Sequence, residues 1–239
     1  GADGLMIIDL STLPVAPPAS AVSFYTGVNY PFSKAHNLYI DENGVAYIFG
    51  SDYGNGGAIM LDVTASNGQP QELGVFDTYY LHDGMARNDT LWAGAINNGV
   101  FFAIDVSNKN SPTILGSHVT PGFYSHNCWI SDNGKYLYTT DEVAWGRIAS
   151  YNVEDINNIF QLDEIQSSEG ASTIPHNVHV KQNFLVISYY HDGVYVVDAT
   201  LPHNMFVVGY YDTAPNFVND GFNGCWGVYP WLPSGRIIA

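Results

Sequence analysis

A glycine, four or five mostly apolar residues and a closing Asp or Asn recur along this chain, at Gly4–Asp9, Gly57–Asp62, Gly99–Asp105, Gly146–Asn152 and Gly193–Asp198. The closing positions lie 53, 43, 47 and 46 residues apart. A period in that range, kept through five copies, belongs to folds in which one supersecondary unit is repeated and stacked. A second motif falls between the copies: a His, then Asn or Asp, then a strand-like run, at His36-Asn37, His82-Asp83, His126-Asn127 and His176-Asn177. Trp226 holds the fifth place in that series. Asp41–Gly44 and Ser131–Gly134 supply hairpin turns, because Asn and Gly tolerate positive φ. Aromatic and β-branched runs follow at Val45–Phe49, Thr90–Ala95, Lys135–Thr140 and Phe184–Tyr190. After each closing Asp comes a polar loop and then a fourth strand, such as Glu72–Phe76, Thr113–Gly116 or Phe206–Tyr210.

Four strands in each period of about 45 residues predict an all-β fold, a β-propeller of four-stranded blades. A single domain over residues 1–239 is expected, with about five blades that begin near His36, His82, His126, His176 and Trp226. Residues 4–10 would complete the last blade, so that Trp226–Tyr229 and Ile237–Ala239 share a sheet with Leu5–Leu10. A larger propeller of which this chain is one part is the alternative.

Composition agrees with a folded β protein. Hydrophobic residues make up 46 % and charged ones 13 %, with 17 Tyr, 12 Phe and 5 Trp, which is far from the composition of a disordered chain. The formal charge of −16 repels phosphate backbones and anionic lipid, so nucleic acid is excluded as a partner. No apolar run reaches the 18 or so residues that a membrane helix needs, and no membrane insertion is expected. The two cysteines, Cys128 and Cys225, are compatible with one disulfide or, as is commoner for such residues, with buried thiols.

The His-Asn strands, the Gly-x-x-x-x-Asp-x-(Ser/Thr) strands and above all the segment Gly221–Gly235 resemble the choice-of-anchor B family, secreted propellers related to the LVIVD-repeat proteins of Bacteroidota. That resemblance implies export to the cell surface or medium and no established reaction.

The His series is the sharpest chemical feature. Residues that open equivalent innermost strands face one axis at one height, so His36, His82, His126 and His176 are predicted to converge at the mouth of the central channel. Neutral imidazole is a good ligand for zinc, copper, nickel or iron, which makes these four the candidate metal ligands. The competing role is structural, with each His bonded to the backbone of the next blade. Trp226 and Asp83 complete the channel or ligand candidates. Asn37, Asp83, Asn127 and Asn177 either orient the imidazoles or shape the strand entries through local hydrogen bonds. A second cofactor expectation is Ca²⁺ on an acidic rim formed by Asp52, Asp141, Glu142 and Asp192. His179 is expected to pack between blades, and His118, His191 and His203 to be solvated.

No nucleophile elbow, P-loop or His-Glu-x-x-His motif accompanies the repeat, and no catalytic residue is assigned. Two functions remain in play. The first is a non-catalytic extracellular or cell-surface propeller that presents a binding face to a protein or glycan. The alternative is a metal-dependent enzyme, an oxidoreductase or hydrolase, that uses the His ring.

Overall fold

The computed structural model describes residues 3–64, 68–168 and 170–239. Four antiparallel four-stranded sheets follow one another as blades. The first holds β3 (Asn37–Ile40), β4 (Val45–Phe49), β5 (Ala58–Asp62) and β6 (Gln71–Phe76), after a two-stranded sheet of β1 (Leu5–Ile8) and β2 (Val22–Tyr25). The second holds β7 (Asp83–Arg87), β8 (Thr90–Ala95), β9 (Val100–Asp105) and β10 (Thr113–Val119). The third is β11 (Ser125–Ile130), β12 (Tyr136–Asp141), β13 (Ile148–Asn152) and β14 (Phe160–Ile165). The fourth is β15 (Val178–Lys181), β16 (Phe184–Tyr189), β17 (Gly193–Asp198) and β18 (Phe206–Tyr211). The architecture is the β-propeller that the repeat predicts. The Gly-to-Asp motifs are β1 and the third strands β5, β9, β13 and β17, and no two of these pair with each other.

Burial explains the sequence pattern. The second strands β4, β8, β12 and β16 are buried nearly throughout, because each is covered on both faces, with β1–β2 completing the cover of β4 and the segment around Cys225 and Val228 that of β16. Such strands carry continuous apolar runs in place of alternation. The fourth strands are largely exposed and alternate. One core cluster joins the second, third and fourth blades through Met85, Trp92, Phe101, Trp129, Tyr151 and Tyr189, and another joins the first and second through Phe49, Met60, Leu91 and Phe102. In every blade the pairing of the third and fourth strands carries a register shift, at Met60/Leu61, Ile114/Gly116, Ser150/Tyr151 and Val196/Val197. Bulges there increase the twist of the outer blade.

The closing Asp or Asn of the repeat has a local task. Its side chain accepts the backbone N–H two residues ahead: Ser11 on Asp9, Thr64 on Asp62, Ser107 on Asp105, Glu154 on Asn152 and Thr200 on Asp198, all at 2.8–3.0 Å. This Asx turn starts the loop to the fourth strand.

The ring is not closed. Leu5–Ile8 pairs with Val22–Tyr25, while Tyr229 bridges to Ile238, so among the described residues the two terminal segments do not share the sheet expected of them. The faces that border the opening are apolar and exposed, with Met6, Leu38 and Ile40 on one side and Val208, Tyr210 and Tyr211 on the other. Cys128 and Cys225 are separate buried thiols, with burial raising both, Cys225 to about 11.

The residues after His82 and His126 link blades to one another. The Asp83 carboxylate accepts Asn127 Nδ2–H at 3.0 Å, and Asn127 Oδ1 accepts the Val178 N–H at 3.1 Å, so one amide ties the second, third and fourth blades. The clamp is fully buried, where an unpartnered polar group costs about 1–3 kcal/mol. Asn127→Leu removes both bonds and leaves Asp83 short of a donor. Urea denaturation is expected to show a loss of about 1–3 kcal/mol at unchanged m-value. An unaltered midpoint would rule the clamp out as a source of stability.

Candidate functional site

Three of the four inner strands are entered through a His held by the same backbone bond, while His126 is the extra residue of an irregularity at the start of β11. The N–H groups of His36, His82 and His176 donate to the carbonyls of Phe49, Gly94 and Ser188 on the neighbouring second strands, at 2.8–2.9 Å. Equal register at the strand entry fixes equal height along the axis, and the four side chains meet at one end of the channel. Ring centroids stand 3.8 Å apart for His36–His82, 4.6 Å for His82–His126 and 4.2 Å for His126–His176. The fit is tight: a Cβ on Gly94 would stand 2.5 Å from the His126 carbonyl oxygen, so only glycine lets β8 approach β11 there.

A carboxylate completes the cluster. Glu142 Oε2 lies 3.5 Å from His126 Nε2 and 3.9 Å from His82 Nε2, and Oε1 lies 3.7 Å from His176 Nε2. The Tyr190 hydroxyl donates to Oε1 at 2.6 Å and fixes the carboxylate. The blade holds Glu142 through its neighbour, since Asp141 accepts Thr120 Oγ1–H and the N–H groups of Gly122 and Tyr124 and so braces the loop that leads into β11. Two overlapping sets of potential ligand atoms result, His36/His82/His126 and His126/Glu142/His176, each with its atoms within 4.8 Å of one another. Tetrahedral coordination at zinc–nitrogen lengths needs separations of about 3.3 Å, within reach of small side-chain rotations.

Electrostatics keep the imidazoles neutral. Burial pushes His82 down to about 3 and His176 to about 4, and holds His126, which is 0 % exposed, well below its ordinary value. The mutual repulsion of the rings adds to this at His82 and His126. His36, the exposed member, is lowered by burial as well. Burial raises Glu142, partly offset by the Tyr190 bond. His82 Nε2, both nitrogens of His126 and His176 Nδ1 make no well-formed hydrogen bond among the described residues, though a backbone carbonyl of the next blade stands beside each of His126 and His176, at His176 and Trp226. Each neutral ring keeps one lone pair, so the cluster offers a metal one nitrogen from each histidine. The Tyr80 hydroxyl meets His82 Nδ1 at 3.2 Å and turns the His82 Nε2 inward.

The other sequence candidates fall outside this group. Asp83 is buried and pushed up to about 7 by burial, and its oxygens accept the Gly84 N–H and the Asn127 amide. Trp226 lies against His176, with ring centroids 5.1 Å apart. The rim acids serve their own loops. Asp52 accepts Ser33 N–H, Ser33 Oγ–H and Lys34 N–H, which hold it at about 2, and Asp192 accepts the hydroxyls of Ser167 and Thr173. None of Asp52, Asp141 and Asp192 belongs to a group of three potential ligands among the described residues, which leaves the calcium expectation without a ligand set. His179 packs between Trp129 and Trp231. His191, expected in solvent, is buried and stacked on Phe217.

Sequence reasoning missed the role of Glu142 by counting it among the rim acids. The register holds the signal that locates it. Two residues beyond the second-strand partner of each ring His stand Ser51, Ile96, Glu142 and Tyr190, so one repeat position carries a lone carboxylate.

Comparison with known proteins adds a class to this geometry. Residues 124–204 match the sequence model of the Lactonase family, described as a 7-bladed beta-propeller, and that stretch contains His126, Glu142 and His176. The chain matches no curated protein. It is similar in structure to the periplasmic gluconolactonase of Pseudomonas aeruginosa (TM-score 0.66, 12 % identity, 87 % of this chain and 63 % of that one). Two proteins assigned as 6-phosphogluconolactonases are similar too. One is from Bacteroides uniformis (TM-score 0.63, 13 % identity, 86 % and 63 % covered), the other from Bacteroides fragilis (0.63, 14 %, 86 % and 62 %). At such identities the likeness is one of fold, and the chain spans under two thirds of the length of these structures.

These findings correct two expectations. The choice-of-anchor B and LVIVD resemblance gives way to the lactonase match, which excludes the Gly221–Gly235 segment that carried it. Asp83 and Asn127 of the His series are blade clamps and the Asp-x-Ser/Thr positions are Asx turns, tasks set by the architecture. The non-catalytic binding module gives way as well, since the match of residues 124–204 to the lactonase family model points to an enzyme.

The neutral imidazoles make a direct prediction. A buried His with a lowered folded value takes up its proton more readily when unfolded, so stability falls with pH below about 6.5. Imidazole ¹⁵N shifts of His82 and His176 are expected to stay neutral from about pH 7.5 to 5. Titration near the ordinary value of about 6.5 would contradict the buried cluster.

Proposed function

We propose that this chain is a hydrolase that opens lactones, with the channel-end His cluster and Glu142 as its centre. The observation that carries the reading is the carboxylate of Glu142 within 3.5–3.9 Å of three neutral imidazoles, inside the stretch that matches the lactonase model. Hydrolysis of a cyclic ester needs an activated water and stabilisation of the oxyanion that forms when it attacks the carbonyl carbon.

His36, His82 and His126 offer three nitrogens to a divalent metal such as zinc, a set that leaves Glu142 free beside it. Such an ion lowers the pKa of a bound water and polarises the ester carbonyl. Glu142 takes the proton of the attacking water and returns it to the ring oxygen as the acyl C–O bond breaks. Tyr190 holds the carboxylate in place by its 2.6 Å bond, and His176 flanks the other oxygen. Exposed His36 leaves the centre open to substrate, while Trp226 covers the His176 side. We place the activity outside the cytoplasm. The periplasmic location of one similar protein and the strongly acidic composition support this, and no helix among the described residues is long and apolar enough to cross a membrane.

Hydrolysis of glucono-lactone followed by acid release, with zinc supplied and the uncatalysed rate subtracted, tests the reading. Glu142→Gln is expected to lower kcat about 10²–10⁴-fold, as loss of a general base does, with thermal unfolding little changed. His126→Ala is expected to lose the metal and the activity together. Turnover no faster than the background, or a Glu142→Gln variant as fast as wild type, would refute the assignment.

A further inference from the structure

The seven basic residues are distributed in a way that selects among lactones. Five are held by partners. Arg87 donates to the Ser131 carbonyl, Lys181 to that of Pro230, and Lys109, Lys135 and Arg147 pair with Asp89, Glu154 and Glu164. Arg87 and Lys181 close the inner strands β7 and β15, at the end away from His82 and His176. The Arg147 guanidinium serves the third and fourth strands, outside the inner layer. Lys34, two residues before His36, is the basic residue nearest the cluster in sequence, and its backbone amide already holds the Asp52 carboxylate. The seventh, Arg236, is exposed in the segment that bridges Tyr229 to Ile238, so a substrate phosphate at this mouth meets Glu142 and Asp52, the Lys34 ammonium and a chain of formal charge −16.

The walls of the mouth are aromatic and apolar. Trp226 is 59 % exposed and rests on His176, and Phe222 is 66 % exposed and rests on Tyr190, the residue that fixes Glu142. Both rings therefore keep a free face beside the reacting groups. On the His36 side a cavity of about 310 Å³ opens between Leu5, Met6, Asn37, Leu38 and Ile48, with no lysine or arginine in its lining. Aromatic faces pack against the C–H face of a sugar-like ring, and walls without lysine or arginine give a phosphate no side-chain cation to pair with beyond the proposed metal.

We propose that the centre takes uncharged lactones, packed against Trp226 and Phe222, and discriminates against phosphorylated ones. This rests on the lactone-opening reading, and binding separates the two. The probes are glucono-lactam, which is not hydrolysed, and its 6-phosphate ester, titrated calorimetrically into the zinc-loaded chain, alongside turnover of the two parent lactones. The neutral lactam is expected to bind at least about tenfold more tightly at low ionic strength, with the gap narrowing as salt screens the repulsion. Trp226→Ala is expected to weaken the neutral lactam several-fold while zinc stoichiometry stays at one. Equal or tighter binding of the phosphorylated lactam, or no binding of either, overturns the proposal. Neutral lactam bound without lactone turnover supports the charge selection and refutes the hydrolase reading. Turnover that favours the phosphorylated lactone refutes the selection alone.

Discussion

The backbone bond from His36, His82 and His176 to the second strand of each one's blade sets the geometry on which everything else depends. It places the start of those inner strands at one height, and blade stacking then has to turn those side chains toward a common axis. Glycine at Gly94 lets the second strand β8 close on the inner strand β11, and the Asp83–Asn127–Val178 chain locks the spacing of the inner strands. Rings 3.8–4.6 Å apart from blade to blade are the product of that register, since no two of the four histidines are near in sequence.

Crowding imidazoles in a dry channel mouth has an electrostatic consequence. Each ring is costly to charge, both by burial and by its neighbours, so the group stays neutral and keeps its lone pairs. A carboxylate placed among them is desolvated too, and the Tyr190 hydroxyl compensates one of its oxygens. Neutral donors around a constrained carboxylate suit a divalent ion and a water to be deprotonated. The backbone carbonyls beside His126 and His176 can hold one N–H of each ring, which leaves the other nitrogen of each for an ion.

The blade period, the strand order and the convergence of His36, His82, His126 and His176 were legible in the sequence, because repetition makes equivalent positions face equivalent places. Glu142 was not, because it breaks the repeat: the same position is Ser51, Ile96 and Tyr190 elsewhere, and an acid in a loop of an acidic chain looks like solvated rim. Asn37, Asp83, Asn127 and Asn177 were read as turn or orienting residues, and at Asp83 and Asn127 they prove to be interblade clamps, a task that exists only once blades are stacked. The family resemblance misled for a related reason, since residues demanded by the architecture are shared by unrelated propellers. Closure was misjudged because apolar terminal segments fit a strand partner in either direction, and β1 found Val22–Tyr25.

The central claim is that the His and Glu142 side chains at the channel end form one metal-binding centre. Crystals soaked in zinc and measured at its absorption edge test this directly. A single anomalous peak is predicted among the nitrogens of His36, His82 and His126, beside the Glu142 carboxylate, and absent from His126→Ala crystals. No peak at the channel end, or zinc only at the surface acids Asp52 and Asp192, would contradict the account.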